Sequence, residues 1–153
     1  MILFGGSLAA THYCLTKGER DMKFVYNDGG RSKYFKATQV GDCVVRAAAI
    51  ATQRDYKEVY ELARKIAKGT PRNGMSKTQM KRLMETLGGR WEATMTIGSG
   101  CKVHLRDGEL PDGRIVCSLS GHVVAVINGV VNDTYEDDRN GTRCVYGYWK
   151  FNG

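Results

Sequence analysis

The sequence predicts an α+β domain, and three observations carry that expectation. Helical signals crowd into residues 43 to 87, and strand signals crowd into the chain from residue 90 onward. Between two apolar runs of the second part stands Asn128-Gly129, the strongest short hairpin signal. Helices first and an antiparallel sheet after them is the order of helices packed on one sheet face.

Each element has its own warrant. Lys23 to Tyr26 and Tyr34 to Ala37 read as short strands either side of a turn at Asn27-Asp28-Gly29-Gly30. Asp42, a favoured N-cap residue, precedes an alanine-rich run that predicts a helix from Cys43 to about Thr52. Its near-continuous apolar character predicts burial in the middle of the fold. A second helix is expected over Asp55 to Lys68, where Val59, Leu62, Ala63 and Ile66 recur at helical spacing. Lys68 to Gly74 is a loop. Ser76 with Gln79 forms a capping-box signature for a third helix, ending near Leu87 before Gly88-Gly89. Strands follow at Arg90–Ile97, Lys102–Leu105, Arg114–Ser118, the hairpin, and Arg143–Phe151. The chain shows no internal repeat and no low-complexity segment.

Cys43 opens its helix, where the positive end of the helix dipole and the unpaired first-turn N–H groups favour a thiolate. A cysteine on an apolar helix is, by itself, more often a core residue. The distant hairpin tips the balance. A two-residue turn at Asn128-Gly129 sets Ile127 opposite Val130, Val126 opposite Val131, Val124 opposite Asp133 and His122 opposite Tyr135. Residues two apart share a face, so Asp133 lies diagonal to His122 on one face and Asn132 points away. Slippage by one residue would exchange the two. The roles expected are Cys43 as nucleophile, His122 as general base and then acid, and Asp133 as the group that orients the imidazole. Gln39, on the loop before the helix, is expected to join the Cys43 backbone N–H as an oxyanion donor.

Gln39, Cys43 at a helix start, His122 on a strand and then an acid follow an order that resembles the papain-like cysteine peptidase superfamily. The likeness is greatest to its short bacterial members, such as the bacteriocin-processing peptidases. The fuller pattern is similar to small proteins encoded by phages and bacteria. It comprises Gly41-Asp42-Cys43-Val44-Val45-Arg46-Ala47, Ile97-Gly98-Ser99-Gly100-Cys101, Gly121-His122 through Asp133-Thr134, and Gly141-Thr142-Arg143-Cys144-Val145-Tyr146-Gly147-Tyr148-Trp149. The resemblance implies a papain-like fold, with N-terminal helices on an antiparallel β-sheet, and a thiol hydrolase that cleaves a peptide or isopeptide bond. Gln39 sits closer to the cysteine than in papain. An acyltransferase or transglutaminase-like enzyme and a deamidase share this chemistry, and a protein that binds a host factor on the same scaffold is the non-catalytic alternative.

Bulk properties narrow the setting. The chain has 153 residues, 42% of them hydrophobic, and a formal net charge of +7, consistent with one globular domain. No apolar run approaches the ~20 residues that span a bilayer, so no membrane partner is expected. Residues 22–153 form the expected domain. Residues 1–21 read as a non-native leader or a flexible extension, since Met22 offers a second start. Five cysteines without secretory features predict reduced thiols and a cytoplasmic protein, in the host cytoplasm if phage-encoded. Cys117 is expected in the core, and Cys144 packed or at an edge. Cys101 and His104 have the spacing of half a zinc site with no second pair, so neither metal nor cofactor is expected. Lys65, Lys68, Arg72, Lys77, Lys81 and Arg82 form a basic cluster without interleaved aromatic residues. It fits an acidic protein or peptide substrate better than a nucleic acid.

Overall fold

The computed structural model describes residues 22–36 and 41–152. Three α-helices among them, α1 (Cys43–Thr52), α2 (Tyr56–Ala67) and α3 (Lys77–Thr86), lie within a residue or two of their predicted spans. Six strands, β1 (Lys23–Tyr26), β2 (Arg90–Ala93), β3 (Arg114–Leu119), β4 (His122–Ile127), β5 (Val130–Asp133) and β6 (Gly147–Phe151), form one sheet in the order β1-β5-β4-β3-β6-β2. The architecture is α+β.

Caps account for the helix bounds. Asp55 accepts the Lys57 N–H at the start of α2, and Ser76 and Gln79 bond reciprocally at the start of α3. Gln53 and Lys68 end α1 and α2 in left-handed conformation. Asp42 stands at the N-cap of α1, yet its side chain caps nothing. It is fully buried, and three stronger donors, described below, take its oxygens.

The sheet departs from the sequence reading in two ways. It is mixed rather than antiparallel, because β1 pairs parallel with β5, Tyr26 lying beside Asp133. The strand expected over Tyr34 to Ala37 does not follow. Arg31–Lys33 form a 3₁₀ turn instead, which carries Arg31 inward to Asp42; residue 37 lies outside the described chain. Three other strands are trimmed. The expected Arg90–Ile97 strand ends at Ala93, and beyond it a turn closes from Thr96 to Ser99 with Ile97 fully exposed. Lys102–Leu105 make only a bridge at His104–Cys144, and residues 143 to 145 hydrogen-bond this segment rather than extending β6.

The two faces of the sheet bury different things. Val116, Val123, Ala125, Trp149 and Phe151 meet the helices, with Val45, Ala48, Val59, Leu83 and Met84 in the same cluster. Ile115, Cys117, Val124, Val126 and Val131 point the other way, where Met22, Leu105 and Val145 cover them. Cys117 is buried as expected. Cys101 and Cys144 are joined as a disulfide across 43 residues, which corrects the expectation of reduced thiols. The cysteine count therefore gives no argument for a reducing compartment. No helix among the described residues is long and apolar enough to cross a membrane.

Candidate active site

The hairpin forms in the predicted register. Ile127 pairs with Val130, Val126 with Val131 and Ala125 with Asn132, and Asn128 and Gly129 both have positive φ, as a type I′ turn requires. The ladder stops there, so Val124–Asp133 and His122–Tyr135 are not paired through the backbone. Their faces still converge: the His122 and Tyr135 rings lie 5.4 Å apart. Asp133 Oδ2 lies 2.6 Å from His122 Nε2, while Asn132 turns away to bond Asn27 and the Val130 carbonyl.

Position along the strand brings the helix into play. His122 is the first residue of β4, at the end of the sheet, and α1 packs across β4. Cys43, first residue of α1, thus arrives half-buried at His122 and Val123. With Nε2 committed to Asp133, Nδ1 is the imidazole nitrogen left for the thiol. Burial pushes the Cys43 thiol up, but the His122 hydrogen bond and charge, the Val123 backbone and the Arg46 guanidinium outweigh it. The net result is a thiol more acidic than usual. For His122, burial favours the neutral ring; hydrogen bonds to Asp133 and Cys43 overcome it and raise the pKa to about 9. Both shifts favour a thiolate beside an imidazolium.

Behind this pair lies a buried ionic network that sequence reasoning did not assign. Arg46 bonds Asp42 through Nη1 and reaches Asp133 Oδ1 through Nη2 at 3.4 Å. Arg31 Nη1 donates to Asp42 at 3.3 Å and Tyr56 Oη donates at 2.7 Å. Asp133 also accepts the Thr134 N–H at 2.7 Å. A signal existed: Arg46 is the one charged residue in the apolar run of α1, and a buried cation must find acids. Sequence alone could not say which.

Turn chemistry sets the network in place. Asn27 and Asp28 side chains accept the Gly29 and Gly30 N–H groups, and both glycines have positive φ. A Cβ on Gly29 would lie 3.0 Å from the Arg46 carbonyl, so only glycine lets this turn close on α1. Asn27 N–H also donates to the Asp133 carbonyl at 2.9 Å, anchoring the end of β5 from its other side.

Gln39 lies outside the described residues. His104 bonds Glu109 at 3.1 Å, and Cys101 is taken by Cys144. The described residues thus bring together Cys43, His122 and Asp133. Comparison of the chain with family models, curated proteins and solved structures finds no match in any of the three.

Proposed function

We propose that the chain is a thiol hydrolase of papain-like type, a cysteine peptidase that cleaves a peptide or isopeptide bond through an acyl-enzyme on Cys43. One observation supports this above the others: His122 bonds Asp133 at 2.6 Å on one side and the Cys43 thiol on the other. A satisfied core cysteine has no need of a histidine with a buried carboxylate behind it.

The chemistry balances with these groups alone. The Cys43 thiolate attacks the carbonyl carbon, forming a C–S bond as the carbonyl π pair moves to oxygen. The Cys43 backbone N–H, with Gln39 as the second donor assigned from sequence, would hold that oxyanion. Collapse breaks the C–N bond, and the His122 proton passes to the leaving nitrogen. Neutral His122 then takes a proton from water, whose oxygen attacks the thioester carbon. The C–S bond breaks, releasing the acid and restoring the thiolate–imidazolium pair.

Iodoacetamide near neutral pH tests the reading at its first step. Cys43 should alkylate at least about tenfold faster than a free model thiol, and His122→Ala should abolish the advantage. Equal rates in the two proteins would overturn it. Peptidyl probes that acylate thiols, with the adduct mapped by mass spectrometry, would then separate hydrolase from transferase by whether water or an added amine releases the acyl group.

A further inference from the structure

Substrate chemistry can be read from the cavity that reaches Gly121, the residue before His122. Gly121, immediately before His122, lies on one wall of a cavity of about 570 Å³, a size usual for ligand sites. Lys77 and Lys81, one helical turn apart on α3, line it, together with Trp91, Tyr146 and Trp149. Both walls are tied to the reacting pair. His122 follows Gly121 directly, and the loop before α3 pairs with the chain before Cys43 through a Gly41–Asn73 bridge.

The lining is unusual for a structural crevice. Trp91 and Tyr146 remain 39% and 40% exposed, a large aromatic surface left in water. The ring of Trp91 lies on Gly147, where a Cβ would come within 2.3 Å of it, and tilts against Trp149 with centroids 4.5 Å apart. Trp149 is only 4% exposed, yet its indole N–H has no acceptor among the described residues. Lys77 and Lys81 are exposed, and neither forms an ion pair among the described residues. The tertiary fold thus supplies the aromatic residues that the basic segment lacks in sequence.

We propose that this cavity, on the acyl-enzyme reading above, binds the substrate as an acidic peptide segment. An apolar or aromatic side chain enters among Trp91, Tyr146 and Trp149, and its neighbouring carboxylate meets Lys77 and Lys81. Cations beside aromatic rings also suit a nucleic acid. A thiolate, however, needs an acyl carbon to attack, and the peptide carries one.

The test uses the full chain with Cys43→Ala, titrated with fluorescein-labelled Gly-Glu-Phe-Glu-Gly, its counterpart with lysine for both glutamates, and a short oligothymidylate. The acidic peptide should bind about tenfold or more tighter than the basic one. Lys77→Gln combined with Lys81→Gln should remove about tenfold of its affinity, as should added salt. Equal affinity for the two peptides, tighter binding of oligothymidylate, no binding, or indifference to the lysine pair would each overturn the proposal. Cys43 alkylation in the unaltered chain reports on the acyl-enzyme reading alone. Loss of peptide preference with His122-dependent alkylation intact therefore condemns the cavity and not the chemistry.

Discussion

Arg46 Nη2 stands 3.4 Å from Asp133 Oδ1, so a cation one turn along the cysteine's own helix holds the carboxylate that holds His122. Both side chains are only 7% exposed, where an ion pair is weakly screened. Helix and hairpin are thereby coupled through charge as well as packing, and the coupling has a pH signature.

Arg46→Met should move both limbs of the pH–rate profile to higher pH. Loss of the cation leaves Asp133 more negative toward His122, raising the imidazole further, and removes a charge that favours the Cys43 thiolate. Arg46→Lys should restore part of the acid limb. A profile that falls in amplitude without moving would mean that Arg46 is structural only.

Asp133→Asn should act in the opposite sense on the alkaline limb. His122 is raised to about 9 against an ordinary 6.5 because Asp133 and Cys43 outweigh its burial. Leaving-group protonation is thus retained up to about pH 9 and lost above it. Without the carboxylate the limb should slide toward 6.5, with kcat/KM down roughly 10²- to 10⁴-fold. The same proton stabilises the fold: its contribution is complete below about pH 6.5 and fades as pH rises through 9. Rate profiles and histidine NMR titration give independent readings of the same shift.

Asp42→Asn should destabilise the chain by about 3–5 kcal/mol, since it removes one of the two buried carboxylates paired with Arg46 and the one bonded by Arg31. Urea unfolding measures it. An ordinary exposed N-cap would cost about 1 kcal/mol, so the size of the loss distinguishes the buried network from a cap.

Replacing Cys101 and Cys144 by serine opens a loop of 43 residues and should cost about 2–4 kcal/mol. The bond ties the segment after β2 to the strand approach of β6, away from Cys43. Thermal unfolding with and without reductant should show the loss in the unaltered chain and none in the double variant.

Gly147→Ala should cost about 1–3 kcal/mol through the clash with Trp91. If Trp91 belongs to the substrate cavity, affinity for the acidic peptide should fall as well; unchanged affinity would remove Trp91 from it.

Much of this molecule could be read from local pattern. The capping box at Ser76 and Gln79 bounded α3, and apolar spacing outlined α2, because caps and periodicity act within a few residues. Asn128-Gly129 did more. By fixing the register of β4 and β5 it chose Asp133 over Asn132 as the neighbour of His122, a choice visible before any fold is known because strand faces alternate strictly. The remainder depended on segments far apart in the chain. Nothing local tells β1 to pair parallel with β5, since β1 finds its partner only once the hairpin exists. Asp42 looked like a cap, and burial beside Arg31, Arg46 and Tyr56 made it a counter-ion instead. Cys101 meets Cys144, and Lys77 comes to line one cavity with Trp91 and Tyr146, across separations that no periodicity spans. Sequence determined the helices, the hairpin and the Cys43–His122–Asp133 constellation; the tertiary structure decided what neutralises buried charge and what surrounds the thiol. Local propensity is written in neighbouring residues, whereas buried polar groups take whichever partners packing delivers.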